Sequence, residues 1–279
     1  MADTALVLGG GGAVGGAWMA GVLAGLAEAG VELSGADVVI GTSAGAVFGS
    51  RLASGVSSAE LYQGQLAGAD PVDVTVTLGQ TARFLWAALG SRNPRRSVER
   101  LGRAALAART GPQSEVLDTV GTLLGGVRHW PERELRITAV DARTGTLEAF
   151  DRTSGVTLLE AVAASCAVPL IWPPVTAGGR RWMDGGSRST SNIQLARGHR
   201  RVVAISPIPR AVGPHPSAPR QAAELAAEGA RISLLTPDRT ARRAMGRNMI
   251  DNSRRPAAAR AGHAQAIALA ESVAEVWYG

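Results

Sequence analysis

The chain has 279 residues, 46% hydrophobic and 19% charged, the proportions of a globular protein able to bury a sizeable core. Its single cysteine, Cys166, excludes an internal disulfide and fits a reducing compartment, and no Cys/His cluster has metal-ligating spacing. The net charge of +6 is carried by arginine alone, clustered at Arg92, Arg95, Arg96, Arg100 and Arg103 and at Arg239, Arg242, Arg243 and Arg247; aromatic residues amount to 4% and do not interleave with these clusters, so a stacking platform for nucleic acid is not expected.

Thr4–Leu8 is a short apolar run suited to a buried parallel strand, and Trp18, Val22, Leu26 and Ala29 come next at helical spacing up to Gly30. Between them lies a glycine-rich turn. Ala5 to Ala27 carries no charge, but its eight glycines and the run Gly9–Gly12 would break a membrane span. The stretch therefore reads as strand, loop and helix, with no targeting segment and the cytoplasm as the expected location. Asp37–Thr42 reads as a second strand and Ser43–Leu52 as the next helix. Strand, glycine turn, helix, strand, tight turn, helix opens a mostly parallel sheet, in which ligands bind beyond the C-terminal strand ends.

Ser57-Ser58-Ala59-Glu60 has the form of a capping box. From there to about residue 126 the pattern is helical, punctuated by Pro71, Pro94 and Pro112, and reads as a helical insertion. Within it, Phe84, Leu85, Trp86 and Leu89 form an apolar patch. Residues 78–96 suit a lid or a peripheral membrane contact, but burial of the patch against the core is the simpler expectation. Leu135–Val140 and Thr146–Phe150 alternate like a β-hairpin, Thr157–Glu160 caps a short helix, and Pro169, Pro173 and Pro174 force an irregular passage. Val175 and Arg181–Met183 flank a glycine hairpin that leads into Asp184-Gly185-Gly186. Arg201–Ile205 and Arg231–Leu235 are further strands around a proline-rich loop from Pro207 to Pro219. A last helix opens at Pro256, with Ile267, Ala270, Val273 and Trp277 as its apolar positions. No repeat or boundary divides the chain, so residues 1–279 read as one domain.

The chemistry centres on Gly41-Thr42-Ser43-Ala44-Gly45. A serine at a sharp strand-to-helix turn has its hydroxyl thrust out at the N-terminus of a helix, where developing negative charge is favoured. The glycine turn beside it offers free backbone N–H groups for an oxyanion. Gly10-Gly11-Gly12-Ala13-Val14-Gly15 also matches a dinucleotide-binding loop, but the second strand ends in Ile40-Gly41-Thr42 with no acidic residue for a ribose, and the Gly-Lys-Ser/Thr of a mononucleotide loop is absent. As base for the serine, the order Ser…Asp…His admits His215 in its proline loop, though just one strand precedes the one that leads into the serine turn. The other candidate base is Asp184, a carboxylate able to act alone where water is excluded.

In this order, the glycine loop Gly10–Gly15, the elbow Gly41–Gly45, the small-residue passage Ala164-Ser165-Cys166-Ala167-Val168-Pro169 with Pro173-Pro174, and Asp184-Gly185-Gly186 resemble a patatin-like phospholipase. The resemblance covers Leu6 to about Asn192. It implies a three-layer α/β/α sandwich with a mostly parallel central sheet, and a hydrolase acting on lipid or simpler carboxylic esters without metal or cofactor. It also implies Ser43 as nucleophile, Asp184 as base and the N–H groups of Gly10, Gly11 and Gly12 as oxyanion hole, with Gly15, Gly41, Gly45, Gly185 and Gly186 supporting the motifs. Two positions depart from the family pattern: Val14 replaces a frequent basic residue in the loop, and Asn192-Ile193-Gln194 lacks the usual proline. The rival readings are a non-catalytic lipid-binding or regulatory protein on the same fold, and a Ser-His-Asp triad.

Overall fold

The uncharged N-terminal stretch becomes the centre of the molecule. In the computed structural model, which describes residues 3–69, 78–211 and 213–279, strand β1 (Thr4–Leu8) is buried at every position in the middle of the sheet. Helix α1 (Gly12–Glu28) is buried continuously from Val14 to Leu26. The missing charges are those of a strand and a helix enclosed on all sides.

The remaining elements come in the order β2 (Val38–Gly41), α2 (Ala44–Ala53), α3 (Ser58–Leu66), α4 (Leu78–Leu89), α5 (Pro94–Ala107), α6 (Gln113–Leu123), β3 (Glu134–Asp141), β4 (Leu147–Phe150), α7 (Leu158–Cys166), β5 (Val175–Ala177), β6 (Arg180–Asp184), β7 (Arg201–Ile205), α8 (Ala218–Ala227), β8 (Arg231–Leu235), α9 (Arg239–Met245) and α10 (Arg255–Tyr278). The strands run β5-β6-β3-β2-β1-β7-β8, with β4 paired to β3. Pairings among β3, β2, β1, β7 and β8 are parallel; those of β4, β5 and β6 are antiparallel.

Side chains alternate across the strands and divide the core into two faces. Leu6, Leu8, Val39, Leu135 and Ile137 join a large cluster with α1, α2, α7 and α10. Ala5, Val7, Val38 and Ile40 meet α8 on the other face, where Val140 and Met183 also meet Val98 and Ala105 of α5. The result is the expected α/β/α sandwich. Asp37 accepts hydrogen bonds from the Asp3 and Thr4 amides at 2.7 and 2.8 Å, fastening the starts of β1 and β2. Those donors hold its carboxyl below the usual range.

Both capping boxes form as read, with Ser57 and Thr157 each accepting from and donating to their Glu partners. Pro94 opens α5 behind an Asn93 cap. Three expectations need correction or extension. The patch in α4 is not buried: Trp86 and Leu89 are 71% and 63% exposed, Phe84 is half-buried, and the Leu85 side chain, like Pro71, lies outside the described residues. Along α10, Ala270, Val273 and Trp277 face the core but Ile267 is exposed, because the contact with α1 runs instead through Gly262 and Ala266. Helices α8 and α9 are additions to the expected elements, short at 10 and 7 residues.

The edge of β3 positions the site. Residues 137–140 pair with β4 on one side, so Ile137↔Gly41 of β2 and Ala139↔Asp184 of β6 share the other. Strands β2 and β6 thus end head to head along one edge, two β3 residues or about 7 Å apart. The turns that leave these two strands are forced into the same space.

Candidate active site

Ser43 sits between β2 and α2 with φ 53° and ψ −119°, a conformation a non-glycine residue adopts only when its surroundings impose it. Those surroundings are identifiable. The Thr42 amide donates to Leu8 O at 3.0 Å and the Ser43 amide to Ser165 Oγ at 2.8 Å. A side chain at Gly45 would overlap the Leu8 carbonyl, and one at Gly41 would press into the first turn of α2. Both glycines let strand and helix close around the serine, whose side chain makes no helix cap and stays available.

Asp184 ends β6 and is 5% exposed. Its amide donates to Ala167 O at 2.9 Å and its Oδ1 accepts from the Gly186 amide at 2.6 Å. Burial raises its pKa to about 6, against the opposing influence of the nearby Ser43 side chain and the hydrogen bond from the Gly186 amide. A side chain at Gly185 would strike Thr138, so this turn too depends on close approach. The two sequence-predicted residues are therefore brought together, the Ser43 side chain near enough to favour the ionised form of Asp184.

The glycine loop passes beside them. An added Cβ at Gly10 would lie 3.2 Å from the Ser43 Cβ. One expected oxyanion donor is corrected here: the Gly10 amide already donates to Thr190 O at 2.7 Å, because the loop is tied down to the segment after β6. Gly11 and Gly12 stand before the first intrahelical bond of α1, and their amides have no backbone partner among the described residues. Gly15 donates back to Gly11 O and closes the first turn. Val14, in place of a basic residue, is buried and donates its amide to Met249 O.

Ser43 opens onto a cavity of about 160 Å³ lined by Val47, Phe48, Val116, Val120, Leu123 and Trp172 among others. Cys166 lines it as well. Burial first, and the charge of Asp184 second, raise the Cys166 thiol well above its ordinary pKa, so it is a neutral wall. No histidine is hydrogen-bonded to Ser43 or Asp184 among the described residues. Burial and the charge of Arg188 lower His215 to about 4, His199 binds Ala196 O, His263 stacks on Tyr62 beside Glu28, and His129 is exposed.

Two supporting residues stand in stretches that resemble the family pattern, but nothing in their spacing announces the contacts they make. Ser165 reads as one small residue among several, yet it satisfies the Ser43 amide. Asn192, fully buried at φ 50°, donates from one amide nitrogen toward Thr42 Oγ1, Gly185 O and Ser189 O at 3.1, 3.3 and 2.8 Å. With the Thr42–Thr138 hydroxyl contact at 2.8 Å, it ties the serine strand to the aspartate turn.

The family model for patatin-like phospholipase matches residues 6–197. Among solved structures, VipD from Legionella pneumophila is similar, with 14% identity and TM-score 0.50 over 98% of this chain and 67% of that one. The type III effector protein ExoU aligns over 97% of this chain and 54% of its own, with 16% identity and TM-score 0.37. No curated protein matches by sequence.

Proposed function

We propose, from the premise that the chain belongs to the patatin-like phospholipase family, that it hydrolyses carboxylic esters of lipids through Ser43 and Asp184. The observation that carries this reading is the placing of Ser43, at the mouth of an apolar cavity, beside a buried carboxylate where β2 and β6 end head to head; a pKa of about 6 suits that carboxylate to act as a base at neutral pH. Asp184 takes the Ser43 proton as Oγ attacks the ester carbonyl, and the oxyanion falls to the amides of Gly11 and Gly12. The C–O bond to the alcohol breaks, and the alcohol leaves with the proton from Asp184. Water then gives Asp184 a proton and attacks the acyl-enzyme. Ser43 Oγ departs, recovers that proton, and the acid is released.

Ser43→Ala and Asp184→Asn should each reduce p-nitrophenyl acetate turnover to background, whereas His215→Ala should retain it. A fluorophosphonate should label Ser43; absence of label would favour the non-catalytic, lipid-binding reading. Activity in Ser43→Ala would overturn the proposal, and loss in His215→Ala would restore the triad.

The substrate would be met at an anionic lipid surface. Exposed Trp86 and Leu89 support this, beside exposed Arg92, Arg95 and Arg96. Helices α4 and α5 lie against Gly213 and Ala142, in the segments beyond the C-terminal ends of β7 and β3, at the same strand-end edge as Ser43. No helix among the described residues is long and apolar enough to cross a membrane.

A further inference from the structure

The cavity beside Ser43 is apolar along its length but holds one cation without a partner among the described residues. Ala44, Val47, Phe48 and Arg51 lie on one face of α2 at helical spacing and form one side of the cavity. Arg51 Nε is buried and has no hydrogen-bond partner, and the guanidinium makes no hydrogen bond or ion pair with the described residues. It rests against Gly125 beyond the end of α6. The acid that senses its charge is Glu60, which is occupied by Ser57 in the α3 capping box. Arg255, also in the cavity wall, is instead bound to Gln65 and Ala69 O.

Arg51 is half-buried with its Nε enclosed and unpartnered, so its guanidinium offers the apolar cleft a positive charge that an anionic occupant can satisfy. We propose that the cleft takes an acyl chain whose far end is an anion, a carboxylate in the simplest case, and that Arg51 selects it. This inference rests on the reading of Ser43 as nucleophile. It also gives the missing basic residue at Val14 a counterpart: the charge stands at the end of the acyl path instead of at the oxyanion loop.

The helix sets the length. Arg51 is eight residues beyond Ser43, about 12 Å along α2. At roughly 1.2 Å per bond in an extended chain, and with the arginine reaching back toward the serine, the cleft suits an acyl chain of about eight carbons. A volume of about 160 Å³ gives room for on the order of ten water-sized groups.

The test compares p-nitrophenyl octanoate with the mono-p-nitrophenyl ester of octanedioic acid in the wild type, Arg51→Met and Arg51→Lys. The wild type should prefer the carboxylate-ended ester at least tenfold in kcat/KM. Arg51→Met should bring the ratio near one, and Arg51→Lys should retain part of it. In parallel, monomethyl octanedioate should raise the melting temperature of the wild type but not of Arg51→Met. A wild-type preference for octanoate, or a ratio and melting shift indifferent to Arg51, overturns the inference while turnover of p-nitrophenyl acetate leaves the hydrolase reading intact. Absence of all turnover with an Arg51-dependent melting shift does the reverse.

Discussion

The Ser43 amide donates to Ser165 Oγ at 2.8 Å, so the residue that presents the nucleophile's hydroxyl has its own backbone held by a second serine 122 positions later. At φ 53° the Ser43 amide is turned away from the helix that it precedes. Removing its acceptor leaves a partly buried N–H unsatisfied, at a cost of about 1–3 kcal/mol. Ser165→Ala should therefore lower stability by that amount and slow fluorophosphonate labelling of Ser43 about tenfold or more, because the elbow can relax toward an ordinary φ. Ser165→Thr, which keeps the acceptor, should restore much of the labelling rate. Labelling unaffected by Ser165→Ala, with only the denaturation midpoint moved, would reduce Ser165 to a packing residue.

Asp184 can accept the Ser43 proton only when ionised. With burial holding its pKa at about 6, ester hydrolysis should fall about tenfold per pH unit below that value. The acid limb of kcat/KM for p-nitrophenyl acetate should show one group near 6. A limb near 4 would instead match the ordinary range of an exposed carboxylate or the depressed His215.

The sandwich, the elbow and the aspartate turn were legible because each rests on short-range chemistry. Gly41 and Gly45 mark a turn too tight for side chains, Ser57 and Thr157 mark helix starts, and alternating or continuous apolar runs mark strands. What the sequence could not display is pairing across distance. That Gly10 gives its amide to Thr190, leaving Gly11 and Gly12 as donors, depends on where the segment after β6 returns. The exposure of Trp86 also depends on tertiary context, since an amphipathic helix does not state which face is covered. Arg100 lies over the Trp86 ring, 4.6 Å from its centre, and the pair reads as core or surface until the fold is known.

Asn192 links Thr42, Thr138 and the Gly185 turn through one buried amide. Every atom it meets there can accept a hydrogen bond, so Asn192→Asp sets a carboxylate against acceptors. The expected loss is about 2–4 kcal/mol, read as a fall in the urea midpoint. A second negative charge near Asp184 should also push the acid limb of the activity profile upward. An unchanged limb would mean that Asn192 supports the fold without affecting the base.

Membrane docking through α4 and α5 predicts a charge dependence. Arg92, Arg95 and Arg96 near an anionic surface contribute about 1 kcal/mol each, so replacing all three with glutamine should weaken binding to phosphatidylserine-containing vesicles about a hundredfold. Replacing Trp86 and Leu89 with alanine should weaken binding to anionic and to neutral vesicles alike, because that contribution is hydrophobic. Wild-type protein left in the supernatant with both vesicle types would remove the lipid-surface proposal while leaving the esterase reading intact.

The buried base should also carry a stability cost that depends on pH. Asp184 is raised from 3.8 to about 6 on folding, so between those values the folded state holds the proton more tightly than the unfolded state. Stability is therefore greatest in this respect below the unfolded value and declines as pH rises through the folded one. About two pH units at roughly 1.4 kcal/mol each place the penalty at neutral pH on the order of 3 kcal/mol. Asp184→Asn keeps an oxygen for the Gly186 amide but cannot ionise. It should be more stable than the wild type at pH 8, close to it at pH 4, and inactive at both. Equal differences in denaturation midpoint at the two pH values would show that Asp184 is not held ionised against its burial, and the same result would remove the basis for its role as base.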